Sequence, residues 1–403
     1  MRANLKLLIK NREFRLVSLG QLVAFFGTMF TSVALPYQIY HETHSTLMIG
    51  LLSLCQLIPL LFTALLGGAL ADRHHRQTLL LRSGSLMIVG VLILAINALF
   101  PHPSIVVMFM ASASISALYG IYRPAGVGII QQIVPKEDFA QASSISSLNF
   151  SIGMIVGPAI GGLIIAHFGV AANFFVDAAT FIFALCLVLK MKKLPLHFDK
   201  KPQESILTSL TEGLKYAKSK QELLGTYYVD FIAMVFGMPQ ALFPAIAMAY
   251  GGAKTLGLLY AAPAVGALVI SCFSQYCGRI RRQGLGIAFA ASIWGVAIIF
   301  FGLSKHLPLM LTFLAIAGGA DAVSGVFRSM MWNDLVPKAF RGRLAGIEMI
   351  SYLSGPKLGD TEAGLVAAAF GVSASIISGG VLCIVGVAVC CYCLPRYYQY
   401  KKV

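Results

Sequence analysis

Apolar runs broken by short polar connections recur along the whole chain. They fall near residues 14–40, 46–71, 78–99, 105–133, 139–166, 169–189, 222–249, 255–278, 284–303, 308–335, 341–369 and 372–394. A helix needs about 20 consecutive apolar residues to cross the hydrocarbon of a bilayer, and each run reaches that length. The pattern predicts an all-α membrane protein with twelve transmembrane helices. The first run follows a basic start and is too long for the core of a cleavable signal peptide.

Composition narrows the class. Of 403 residues, 58% are hydrophobic and 12% charged, against about 25% charged in soluble domains. A soluble enzyme, a disordered tail protein and a disulfide-stapled secreted module are excluded. A net charge of +15 would suggest nucleic acid in a soluble protein. Here the charge follows the membrane instead. Of the 31 lysines and arginines, 26 fall on one side, at the termini, in the central loop, or in alternate connections and the span ends that flank them. The opposite connections hold only Lys254 and Lys305, while Arg123, Arg328 and Lys357 lie inside spans. Basic residues stay on the cytoplasmic side, so both termini are expected in the cytoplasm and no nucleic acid partner is needed. All eight cysteines sit in or beside apolar runs and read as small buried hydrophobes. Palmitoylation or a soft metal remains open for Cys390, Cys391 and Cys393.

The chain also repeats itself at half length. Ile133-Val134-Pro135-Lys136 recurs as Leu335-Val336-Pro337-Lys338, Gly157-Pro158 as Gly355-Pro356, and Gly50-Leu51-Leu52 as Gly257-Leu258-Leu259. Six spans separate the copies, so both halves enter the membrane in the same sense. That is the parallel repeat of a two-halved secondary transporter, whose site lies between the halves. The expected organisation is an N-terminal six-helix half (1–190), a cytoplasmic linker (191–221) and a C-terminal six-helix half (222–403). Within the linker, Ile206, Leu207, Leu210 and Leu214 recur at helical spacing ahead of Lys215, Lys218 and Lys220. This predicts an amphipathic helix lying on the anionic leaflet.

Two motifs carry more than topology. Gly68-Ala69-Leu70-Ala71-Asp72-Arg73-His74-His75-Arg76 sits where the second span meets the cytoplasm. It resembles the G-x-L-A-D-R-x-G-R loop of the major facilitator superfamily, with His75 in place of the usual glycine. The resemblance implies that Gly68, Asp72, Arg73 and Arg76 form a conformational-switch loop. Asp72 would then face the start of the eleventh helix near Arg341–Arg343, where a helix N-terminus favours a carboxylate. In the fifth span, Gly153, Gly157 and Gly161 strip one helical face for close helix approach, and Pro158 adds a kink site. With Gly162, this run matches GxxxGPxxGG, the signature of the superfamily's exporters and antiporters, and implies outward transport.

The whole chain is similar to one branch of that superfamily, the enterobactin-exporter and macrolide-efflux branch. The likeness rests on Asn11-Arg12-Glu13-Phe14-Arg15-Leu16, Glu212-Gly213-Leu214-Lys215-Tyr216, Phe236 to Pro244 and Gly355 to Gly364. It implies an inner-membrane exporter working by alternating access on the proton motive force, with no cofactor. A siderophore is the leading substrate class, and a macrolide or other drug the alternative. A non-transporting sensor or scaffold is a further reading, disfavoured by the short loops. The expected partners are a small-molecule substrate and membrane lipids, with periplasmic or outer-membrane export proteins as further candidates. The superfamily default is a monomer.

An ionisable group in a span is costly, which singles out the substrate and coupling candidates. Arg123 and Arg328 occupy equivalent spans of the two halves and would suit an anionic ligand. Each could instead pair with a local acid. Asp230 and Asp321 lie on cavity-lining helices by the resemblance and are the proton-coupling candidates. Asp177 is a further buried acid. Lys357, Asp360 and Glu362 read as a structural ion-pair cluster. No metalloprotease, phosphate-loop or nucleophile-elbow motif is present, so catalysis and a resident metal are not expected.

Overall fold

The computed structural model describes residues 7–194, 206–271, 280–337 and 340–401, with side chains omitted at 68, 69, 71–73, 140, 206–210, 341–343, 345, 346, 349 and 350. Four helices follow from the first apolar runs: α1 (Arg12–Thr43), α2 (Thr46–Arg73), α3 (Arg76–Asn97) and α4 (Ile105–Ile133). The next, α5 (Phe139–Leu189), has 51 residues. At 1.5 Å per residue it would run for about 75 Å, against roughly 30 Å of hydrocarbon. Gly169 breaks it into two spans, with φ 84° and ψ 172°. The linker holds α6 (Ile206–Ser219), and the seventh apolar run forms α7 (Gln221–Phe236) and α8 (Phe243–Ala249). Then come α9 (Ala253–Ser271), α10 (Gln283–Leu303), α11 (Leu307–Leu335), α12 (Arg341–Phe370), α13 (Val372–Cys393) and the short α14 (Pro395–Tyr398).

Ten segments of the described residues are long and apolar enough to cross a membrane. The break at Gly169 divides one of them in two. The 30-residue α12 has the length but carries charges, and it completes the twelve. One run departs from the sequence expectation, which has a single helix over 222–249. Gly237 and Pro239 interrupt it. Proline has no N–H to donate and crowds the preceding turn, so the helix stops at Phe236 and restarts through a 3-10 turn at Gln240–Leu242. The freed carbonyl of Gly237 accepts from the Trp294 indole Nε1 at 2.7 Å.

Contacts divide the chain into two compact units. The first comprises Met1–His44, Cys55–Lys201 and Gly251–Leu258, the second Ser45–Leu54, Pro202–Tyr250 and Leu259–Val403. They follow the two halves of the sequence except for two helix tips. The start of α2 belongs to the second unit and the start of α9 to the first.

Each unit builds its core the same way. In the first, Val17 and Ala24 (α1), Met87 (α3), Tyr122 and Ile129 (α4) and Phe181 (α5) pack together. In the second, Val229 (α7), Ile287 (α10), Phe327 and Met331 (α11) and Val387 (α13) do so. These are the first, third, fourth and sixth spans of each half. The backbone repeats too. Gly371 has φ 91° and ψ 158°, matching Gly169. Four residues beyond each glycine, a side chain reaches back across the break. Asn173 donates to the Gly161 carbonyl at 3.4 Å and Ser375 to the Ala363 carbonyl at 3.0 Å.

Of the linker residues at helical spacing, Ile206, Leu207 and Leu210 lie outside the described side chains. The far end of α6 packs on protein. Tyr216 stacks on Phe340 with ring centroids 4.5 Å apart and donates to the Leu335 carbonyl at 3.0 Å. Lys215, Lys218 and Lys220 are exposed.

Candidate functional site

The second unit gathers a charge cluster around one arginine. Asp321 and Arg328 lie seven residues apart on α11, two turns along one face. Arg328 Nη2 is 3.4 Å from Asp321 Oδ1, and its Nη1 pairs with Asp230 Oδ1 on α7. The Arg328 side chain is 20% exposed and Asp230 17%, whereas Asp321 is 53% exposed. Glu348 on α12 and the phenol of Tyr397 also act electrostatically on Arg328. Among the described residues, the guanidinium Nε and the Tyr397 hydroxyl are buried without a hydrogen-bond partner. Three carboxyl groups therefore face a single guanidinium. The guanidinium is thus shared among acids from three helices, α7, α11 and α12.

Three of the four substrate and coupling candidates thus come together. Arg123 is half-buried on α4 in the first unit, one residue before Pro124. Because Arg328 is engaged by acids, it is not a vacant anion site, and the anionic-ligand argument built on two arginines loses one of its legs. Glu348 escaped the sequence reading, although an acid inside the 341–369 run meets the same criterion that selected Asp230. Tyr397 lies beyond the last predicted span and carried no signal.

The glycine motif packs as a stripped face. A Cβ on Gly157 would lie 2.6 Å from Met29 Cβ, and one on Gly161 would lie 3.4 Å from Phe30 Cα, both on α1. Gly153 abuts Phe25 of the same helix, whereas Gly162 faces Gly257 of α9. In the switch loop, Arg76 donates to the Gly128 carbonyl of α4 at 2.8 Å. Gly68, Asp72, Arg73, Arg341 and Arg343 lie outside the described side chains, as do Cys272 and Cys277. Asp177 is 1% exposed, and its Oδ2 accepts from Thr31 of α1. Asp360 faces Lys357 electrostatically, and Glu362 is partly buried on the same helix.

Twelve membrane-length helices in two repeated six-span halves, with ionisable side chains buried in them, define a polytopic membrane transporter. Solved structures share this architecture. A bacterial homologue of the human lysosomal transporter Spinster superposes with TM-score 0.76 at 15% identity, covering 97% of this chain and 98% of that one. The nucleoside transporter NupG gives 0.75 at 14% identity, covering 94% and 99%. In sequence, the enterobactin exporter EntS of Shigella boydii serotype 4 is 31% identical over 395 residues, 95% of this chain and 92% of that protein. EntS of Escherichia coli O157:H7 matches to the same extent. The family model described as transmembrane secretion effector matches residues 8–401. The chain belongs to this family of the major facilitator superfamily, and it is a transporter rather than an enzyme.

Proposed function

We propose that this protein exports a siderophore of the enterobactin class from cytoplasm to periplasm, driven by the proton motive force. The observation that carries the substrate class is the end-to-end similarity to enterobactin exporters. Both termini are assigned to the cytoplasm, and the membrane to the bacterial inner membrane. No cofactor is assigned, and the working unit is taken as a monomer among membrane lipids. Arg123 is the candidate for recognising an anionic ligand. Gly68, Asp72, Arg73 and Arg76 are assigned the cytoplasmic switch.

Coupling is placed at Asp230 and Asp321. A proton on Asp230 removes the charge that ties α7 to Arg328 of α11 and loosens that crossing, while a proton on Asp321 removes a competing charge from Arg328's own helix. Loss of the Asp230 proton to the cytoplasm restores the tie. Alternation of the two states would move substrate outward while a proton moves inward. Each elementary charge that crosses is worth about 2.3 kcal/mol per 100 mV, so one or two protons support substantial accumulation.

A second reading has its own support. The surplus of carboxylates around Arg328 would also suit a cationic drug, as in macrolide or multidrug efflux. One experiment separates the two: siderophore partition between iron-starved cells and medium, with and without the gene. Retention of siderophore in cells lacking the gene, relieved by the wild type but not by an Asp230→Asn/Asp321→Asn variant, is expected. Unchanged secretion overturns the siderophore assignment and moves the test to macrolides.

A further inference from the structure

Two helix crossings in this protein are made backbone to backbone, and they are related by the internal repeat. In the first unit, a Cβ on Gly162 (α5) would lie 2.7 Å from Gly257 Cα (α9). In the second, a Cβ on Gly364 (α12) would lie 2.9 Å from Gly50 Cα (α2). Gly162 and Gly364 stand 202 residues apart, as do the break glycines Gly169 and Gly371. Gly50 and Gly257 are the pair that opens the second span of each half.

Geometry is shared but chemistry is not. Around the first crossing the neighbours are Ala253, Pro158 and Ala159, none with a polar side chain. Their counterparts around the second are Thr46, Asp360 and Thr361, and each makes a polar contact. Thr46 Oγ1 donates to the Gly364 carbonyl at 3.2 Å. Thr361 Oγ1 reaches the Gly50 carbonyl at 3.1 Å. Ser53 Oγ donates to Asp360 Oδ2 at 3.1 Å. Asp360 also accepts the backbone N–H of Ala241, at the restart of the broken seventh span.

We propose that ionised Asp360 fastens the Thr46–Ser53 tip of α2 to α12, and that protonation of this carboxyl loosens the tip. Asp360 is then a positioning residue of the transport cycle, separate from the Arg328 cluster. The proposal rests on the transporter fold and not on the siderophore as substrate. The groups facing Asp360 are Lys357 on its own helix, Ser53 on α2, the Ala241 N–H, and Tyr260 on α9, which is coupled to it electrostatically. A carboxylate accepts two donors here, and a charged acceptor makes hydrogen bonds roughly twice as strong as a neutral one. The dry crossing in the first unit has no such lever.

The test uses the full chain in lipid nanodiscs and needs no substrate. Ile49 is 1% exposed and adjoins Gly50. Maleimide labelling of Ile49→Cys, in a Cys55→Ser background, is read by peptide mass and normalised at each pH to the unfolded protein. At pH 7.5, adding Asp360→Asn is expected to speed labelling about tenfold, the effect of losing one charge-assisted contact. As the pH falls the two proteins should approach one another, because protonation neutralises the parent's carboxyl as well. Ser53→Ala, which keeps the acid, should give a smaller acceleration that still depends on pH. Equal labelling of parent and Asp360→Asn at pH 7.5, or a ratio that does not change with pH, overturns the proposal. If Asp360→Asn does not accumulate, absence of any effect of Ser53→Ala does so instead.

Discussion

Arg328 should be the least replaceable member of its cluster. It serves Asp230 and Asp321 directly and Glu348 electrostatically, and among the described residues it is the cation that Asp230 and Asp321 contact. Arg328→Met takes the contacting cation from Asp230 and Asp321. Removing one partner of a fully buried pair costs about 3–5 kcal/mol. With the side chains about one-fifth exposed, the lower figure of about 3 kcal/mol applies. Asp230→Asn leaves Arg328 with Asp321 and Glu348, so it forfeits a charge-assisted hydrogen bond worth about 1.5–3 kcal/mol, and the lower end is expected. Asp321 is more than half exposed, and its loss should cost less than about 1 kcal/mol. The expected order of destabilisation is Arg328→Met, then Asp230→Asn, then Asp321→Asn. A thiol-reactive dye reads it, because Cys383 and Cys390 are free and buried in the same unit. Arg328→Met should lower the midpoint most. Combining it with Asp230→Asn should be milder than the sum of the two, because neighbours in one network are coupled. Equal midpoints for Arg328→Met and Asp230→Asn would refute the picture of one cation serving several acids.

Three further outcomes follow from the packing. Gly157→Leu places a side chain where its Cβ alone would lie 2.6 Å from Met29 Cβ; overpacking by about 1–3 kcal/mol should cut the monodisperse yield, and wild-type yield would contradict the stripped-face reading. Asp177 is held by the Thr31 hydroxyl, with its second oxygen unpartnered among the described residues, so Asp177→Asn should change stability by less than about 1 kcal/mol and leave the pH profile of export unchanged; a shifted profile would make Asp177 a coupling group. Trp294→Phe removes the donor to the Gly237 carbonyl and should speed hydrogen exchange at residues 237–242, which unchanged exchange would contradict.

The spans were legible because a bilayer leaves few choices. The break at Gly169 was legible for the same reason, since the 51 residues of α5 cannot form one span. The interruption of the seventh run was visible as Gly237 and Pro239, but its apolar length hid it. The repeat was legible in outline but not in register. Sequence similarity aligns Gly157 with Gly355, whereas the crossing and break glycines place the equivalences of that helix one turn away. Among the site residues, membrane cost picked out the buried charges and the family resemblance singled out Asp230 and Asp321 among the acids; geometry then joined them to Arg328. Glu348 failed to register because the charged start of α12 draws the eye to topology. The contact of Ser53 with Asp360 spans 307 residues and has no local signature.

The most direct test of proton-driven export is flux in proteoliposomes loaded with a catecholate siderophore on the cytoplasmic face. With a pH gradient imposed inward across the opposite face, the wild type should move siderophore against its gradient and acidify the compartment that receives the protons. Asp230→Asn/Asp321→Asn should bind siderophore yet neither concentrate it nor move protons. Uphill siderophore movement by that double variant, or wild-type flux indifferent to the pH gradient, would contradict the account.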